Sequence, residues 1–178
     1  MGLITVNNNI HMILDSISCV QQTKLLEDER VHLLCITARL NDQEWYDGDI
    51  STQELVDIID REKKLPMTSQ PPLGEVMDLF TRLVKDGKKV MFLTVSSGLS
   101  GTYQTALMAA KQVMKEVPGS DIRVIDTKTG GLPVSDAARL VLAKADAGCD
   151  DMDELERFGL DVVRRTKTWF SVNTLEYL

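Results

Sequence analysis

The sequence predicts a three-layer α/β fold, a mainly parallel sheet flanked by helices. Three observations carry that expectation. Apolar runs of strand length recur at Ile10 to Leu14, Val31 to Thr37, Val90 to Val95 and Ile122 to Ile125. Between them lie stretches whose apolar residues recur at helical spacing. Strand and helix patterns alternate, as in a parallel sheet covered by helices. A length of 178 residues bounds the chain at one domain, or one domain plus part of another.

Each element has its own signal. The first strand, Ile10 to Leu14, ends at Asp15-Ser16-Ile17-Ser18, whose acid and hydroxyls suit either a helix cap or the wall of a ligand site. His11 reads as a packed or edge residue. The second strand, Val31 to Thr37, is followed by an Asp47-Gly48 turn. Ser51-Thr52-Gln53-Glu54 fits a capping box, and Leu55, Ile58 and Ile59 share a face of the helix behind it. Prolines at 66, 71 and 72 hold Thr68, Ser69 and Gln70 out of helix and present them rigidly. The next helix carries Val76, Leu79, Phe80, Leu83 and Val84 as one apolar stripe, and Gly87 stops it.

The strand Val90 to Val95 then runs into Ser96-Ser97-Gly98-Leu99-Ser100-Gly101-Thr102-Tyr103-Gln104. The chain is organised around this strand, tight loop and helix start, because ligands of α/β proteins bind outside the carboxyl ends of the strands. Ser100 stands where a helix N-cap is expected, and Tyr103, Leu107, Ala110 and Met114 mark the helical face. Asp126 to Pro133 forms a second strand-to-helix loop, before a helix lined by Val134, Ala138, Val141 and Ala145. The acids at 150, 151 and 153 start a helix buried through Met152, Leu155, Phe158 and Val162. Trp169 to Val172 reads as a last strand.

Composition narrows the function. A net charge of −7 argues against a nucleic-acid partner, whose phosphates demand a basic face. No apolar run approaches the roughly 20 residues of a membrane helix, and residues 1–9 lack the pattern of a secretory signal. Cys19, Cys35 and Cys149 are an odd, widely spaced set, unsuited to a disulfide framework or a zinc site. A cytoplasmic protein without metal or cofactor is expected.

The loops argue for binding rather than catalysis. Gly98-Leu99-Ser100-Gly101 approaches a nucleophile elbow, but Thr102 stands where that motif needs glycine. Both histidines, His11 and His32, precede Ser100, whereas that fold's base comes after its nucleophile. No glycine-rich nucleotide motif is present. Hydroxyls, amides and the free N–H groups of a helix start remain, and these suit an anion. A carboxylate ligand fits, and an α/β enzyme or binding protein for a small phosphorylated metabolite stays open as the alternative. A module with an apolar face for a protein partner is a third reading.

Thr68-Ser69-Gln70-Pro71, followed by Ser96-Ser97-Gly98-Leu99-Ser100-Gly101-Thr102-Tyr103-Gln104, resembles the DegV family of bacterial fatty-acid-binding proteins. Asp15-Ser16, Asp126-Thr127-Lys128 and Asn173-Thr174-Leu175-Glu176-Tyr177-Leu178 match in the same order. The resemblance implies a cytoplasmic protein that is not an enzyme and holds a long-chain fatty acid between two domains. In part of the family the acid is presented to a fatty acid kinase for phospholipid synthesis. Carried over by position, the carboxylate would be held by Thr68, Ser69, Ser97 and Ser100, with Ser96, Gly98, Asp15 and Ser16 as secondary candidates. Ile17 stands where the family usually has a further hydroxyl. Residues 1–178 correspond to the family's N-terminal domain alone. This stretch by itself is therefore expected to bind lipid weakly and to self-associate through the apolar surface a second domain would cover.

Overall fold

A computed structural model describes residues 9–169 and 171. Four parallel strands form the central sheet: β1 (Ile10–Asp15), β2 (Val31–Leu34), β6 (Lys89–Thr94) and β7 (Ile122–Asp126), in the order β2-β1-β6-β7. The register sets Met12 beside both Val31 and Met91, and Phe92 beside Val124. Alternate side chains leave opposite faces of such a sheet. One face buries Ile10, Met12, Leu14, Met91, Leu93 and Ile125 under α4 (Leu132–Asp146) and α5 (Met152–Arg165). The other buries Ile13, Val90, Phe92 and Ile122 under α2 (Leu73–Lys85) and α3 (Thr102–Glu116). These are the three layers the sequence predicts.

Local signals place most elements. The α2 stripe of Val76, Leu79, Phe80, Leu83 and Val84 is buried throughout. Gly87, at φ +73, closes that helix, and the following amide of Lys88 reaches back to the Leu83 carbonyl. Val134, Ala138, Val141 and Ala145 are buried as expected, and Asp151 caps α5 by accepting from the Asp153 and Glu154 amides. Ser51 and Glu54 close the capping box that starts α1 (Thr52–Glu62). Leu55, Ile58 and Ile59 are only half buried.

Four details differ from the sequence reading. The second strand ends at Leu34, because Thr37 begins a separate sheet. β3 (Thr37–Leu40), β4 (Gln43–Tyr46) and β5 (Met67–Ser69) pair antiparallel in the order β4-β3-β5, so the proline-bounded stretch is a strand rather than a loop. The buried face of α3 is Thr102, Thr105, Ala106, Ala109, Ala110 and Val113, about one residue round from the expected stripe. Leu107 and Met114 are exposed, because small alanines allow α3 to pack closely against the sheet and α2. The N-cap of α3 is Gly101, one position after Ser100. The expected strand at 169–172 and the motif at 173–178 lie outside the described residues, apart from Trp169 and Ser171, which are in neither helix nor strand.

The chain leaves β1 outward to β2, then crosses to β6 on the other side of β1. The crevice between β1 and β6 is therefore the topological switch point, where α/β sheets bind ligands. Asp15 joins the two strand ends there. It is fully buried, and its Oδ2 accepts from the Val95 amide at 2.7 Å. Oδ1 has no hydrogen-bond partner among the described residues. Burial raises the Asp15 carboxyl to about 6, with the Val95, Ser18 and Ile17 amides offsetting only part of that effect.

Two outcomes are expected from this packing. Phe80 is fully buried and meets Phe92 edge-on at 6.2 Å, so Phe80→Ala should cost about 3–5 kcal/mol in chemical denaturation. The folded chain also keeps the Asp15 proton to about pH 6, against 3.8 when that group is unperturbed. Its stabilising contribution is complete below the lower value and lost as pH rises through the upper one, roughly 3 kcal/mol in all. Denaturation from pH 4 to 7 should show wild type losing most of that amount, about 2 kcal/mol, relative to Asp15→Asn. A pH-independent difference between the two would contradict this.

Candidate functional site

Three strand ends and the small sheet converge at the switch point. After β1 comes Ile17. After β2 comes Ile36, whose amide donates to Ser16 Oγ at 3.2 Å. After β6 the chain turns sharply, as the Leu99 and Ser100 amides both donate to the Ser96 carbonyl, at 2.9 and 3.1 Å. The antiparallel pairing of β3 with β5 aligns Thr37 with Ser69 and Ala38 with Thr68, which carries the proline-bounded stretch across to this corner. A small cleft of about 150 Å³ results, lined by Ile17, Ile36, Thr68, Ser69, Gln70, Leu99, Ser100 and Gly101.

The cleft brings together Thr68, Ser69 and Ser100 from stretches about thirty residues apart in sequence. Ser100 Oγ accepts from the Thr102 amide at 3.2 Å and pairs with Thr102 Oγ1 at 2.9 Å. It thus satisfies the start of α3 from one position before the N-cap. None of the eight lining residues is titratable. Neither histidine reaches the cleft: His11 Nδ1 and His32 Nε2 lie 2.8 Å apart with stacked rings on β1 and β2. Burial, with His11 and Arg82 nearby, pushes His32 down to about 4.

The other expected residues lie beside or beneath the cleft rather than on its surface. Ser97 Oγ accepts from Lys128 Nζ at 2.9 Å, and the Ser97 amide donates to Asp126 Oδ1 at 3.1 Å. Lys128 Nζ also pairs with Asp126 Oδ2 at 2.6 Å. Burial alone would raise the Asp126 carboxyl, but the bonds from Lys128 and Ser97 hold it below the usual value. This network joins the loop after β6 to the loop after β7. Ser96 Oγ accepts from the Gly98 amide at 3.2 Å, which shapes the turn. Asp15 and Ser16 are buried and bonded to Val95 and Ile36.

Ile36 lines the cleft with no signal in the sequence, and Gln70 and Gly101, which belong to the two hydroxyl-bearing motifs but are not among the expected ligand contacts, line it as well. Gln70 Nε2 donates to Thr105 Oγ1 at 3.3 Å, across to α3. Leu99, 75% exposed, lines both this cleft and a wider groove of about 730 Å³. That groove runs over residues 127–130, Val163, Arg164 and residues 166–168. No group of three or more His, Cys, Asp or Glu among the described residues could hold a metal ion. No helix among them is long and apolar enough to cross a membrane.

Comparison with known proteins agrees with this architecture. A DegV domain-containing protein from Clostridium perfringens is 28% identical over 169 residues, covering 95% of this chain and 59% of its own length. A fatty acid binding DegV family protein from Streptococcus agalactiae superposes with a TM-score of 0.77 at 25% identity, over 87% of this chain and 53% of that one. A DegV family protein from Thermus thermophilus, described by its fatty acid binding, gives the same TM-score at 24% identity, over 88% and 54%. The chain thus spans less than two thirds of the length of these relatives. The family profile described as "Uncharacterised protein, DegV family" matches residues 9–178, and the chain belongs to the DegV family.

Proposed function

We propose that this chain binds a long-chain fatty acid, with the carboxylate in the cleft at the switch point. The observation that carries this reading is the meeting of Thr68 and Ser69 with Ser100 in one small, uncharged cleft. When Thr102 Oγ1 donates in its bond to Ser100, the Ser100 proton is left for the ligand. Hydrogen bonds to a charged acceptor contribute about 1.5–3 kcal/mol each. Among the described residues no general base lines the cleft, which favours a site that holds its ligand rather than transforming it. Ser97 acts one step back, through the Lys128–Asp126 network that sets the loop.

A volume of about 150 Å³ is room for roughly five water molecules, enough for a head group and the first methylenes. The acyl chain passes Leu99 into the groove of about 730 Å³, where Leu99 and Val163 offer apolar cover. Enclosure there contributes about 0.8 kcal/mol per methylene, and only where both sides of the chain are covered. The second wall belongs, in this proposal, to a further domain. Presentation of the carboxylate to a fatty acid kinase in the cytoplasm, for phospholipid synthesis, is the role the family resemblance implies, and it is part of the proposal. A phosphorylated ligand is disfavoured by the same geometry. A phosphate calls for a cation; among the described residues none lines the cleft, and Lys128 is already paired with Asp126.

Native mass spectrometry of the intact gene product should detect a co-purifying long-chain fatty acid. A sugar phosphate or nucleotide in its place would overturn the reading. Thr68→Val and Ser100→Ala should each weaken fatty-acid binding by about 10- to 100-fold, the equivalent of one hydrogen bond to a charged acceptor. Unchanged affinity in both variants would remove these hydroxyls from the site.

A further inference from the structure

Gly101 is the N-cap of α3, with φ −75° and ψ −2°. Any residue can adopt that backbone, so conformation does not require glycine here. Space does. A Cβ at position 101 would stand 2.6 Å from Gln70 Oε1, 2.9 Å from Cδ and 3.0 Å from Nε2. The Gln70 amide therefore occupies the place a side chain at 101 would take. Its Nε2 reaches on to Thr105 Oγ1, one turn along α3. A residue just past the end of β5 is thus seated in the first turn of a helix that starts at the cleft.

Gln70 directly follows Thr68 and Ser69, and Gly101 directly follows Ser100. The seat consequently couples the two hydroxyl-bearing walls at their closest covalent neighbours. Elsewhere the small sheet is tethered by the Ile36 amide on Ser16 Oγ and by Tyr46 Oη, which donates to Glu75 at 2.7 Å. Neither of those bonds involves the strand that carries Thr68 and Ser69.

We propose that Gln70 is a positioning residue for head-group recognition. Seated on Gly101 and bonded to Thr105, it sets the spacing across which Thr68, Ser69 and Ser100 share one carboxylate. The inference rests on the fatty-acid reading of the cleft. It also assigns the glycine at 101 to ligand affinity rather than to folding, since the atoms a Cβ would meet belong to the far end of a flexible side chain that can swing away.

The test is a double-mutant cycle in the intact gene product. Affinity is read by titration with cis-parinaric acid, a fluorescent long-chain fatty acid, and Tm is read in parallel. Gln70→Ala should weaken binding about tenfold or more while Tm falls by less than about 4 °C. Gly101→Ala displaces the Gln70 amide without moving the backbone, so it should give a similar loss of affinity with a comparably small change in Tm. The two losses should not add: the double variant should bind no worse than Gln70→Ala alone. Gly101→Ala keeps the test decisive if Gln70→Ala fails to fold. Affinity unchanged in Gly101→Ala, or strictly additive losses, would overturn the positioning role. Wild type that binds no fatty acid would instead overturn the reading of the cleft itself.

Discussion

The bond from the Val95 amide to the buried Asp15 carboxylate holds the ends of β1 and β6 together where their connections diverge. Everything at the site depends on that constraint. Parallel strands with helices on both faces leave a crevice at such a divergence, but the crevice becomes a site only if the loops above it keep a fixed shape. Asp15 fixes the start of the loop after β6. Asp126 and Lys128 fix its middle through Ser97, and the first turn of α3 fixes its end through Ser100 and Thr102. A short loop held at three points presents one hydroxyl in a defined direction. The cost is a carboxylate kept in an apolar place, which is why its proton is retained to about pH 6.

The opposite wall is built differently. The small antiparallel sheet packs Ile36, Ala38 and Leu40 inward and carries Thr68 and Ser69 on its β5 edge. Helix α1 adds no fully buried residue to the main layers. In the proposed function, recognition takes place between the sheet corner and the edge of the small sheet. Gln70 is the side chain that bridges the two, bonded to Thr105 and packed against Gly101. Neutral hydroxyls and an amide at such a junction can satisfy an anion without burying a compensating cation, and the cleft avoids the desolvation penalty a paired charge would bring.

Much of the strand and helix order is legible in the sequence because it obeys local rules. The α2 stripe, the capping box at Ser51 and Glu54, and the acids at the start of α5 are each written within one element. The small sheet is not, because its strands are short and its pairing is non-local. A signal exists: Asn41 and Asp42 separate two four-residue runs, and Asn41 takes the left-handed conformation a tight hairpin needs. The buried face of α3 is misjudged from sequence because its core residues are alanines and threonines, which a hydrophobicity count underrates beside Leu107 and Met114. At the site, the hydroxyl motifs stand out by composition and family resemblance. Gln70 and Gly101 lie inside those motifs, but their relation to each other is not legible there, because it lies in a 2.6 Å approach between distant segments. Ser97 ranks with Ser100 by its position in the motif, yet its hydroxyl faces Lys128 rather than the cleft.

In the proposed function, a fatty acid's charged end sits between β5 and the loop after β6. A crystal structure of the intact gene product with stearate bound tests it most directly. The carboxylate oxygens should lie within hydrogen-bond distance of the Thr68 or Ser69 hydroxyl on one side and of Ser100 on the other, with the first methylenes against Leu99. A carboxylate bound elsewhere, with the side chains of this corner closed over an empty or filled-in cleft, would contradict the claim.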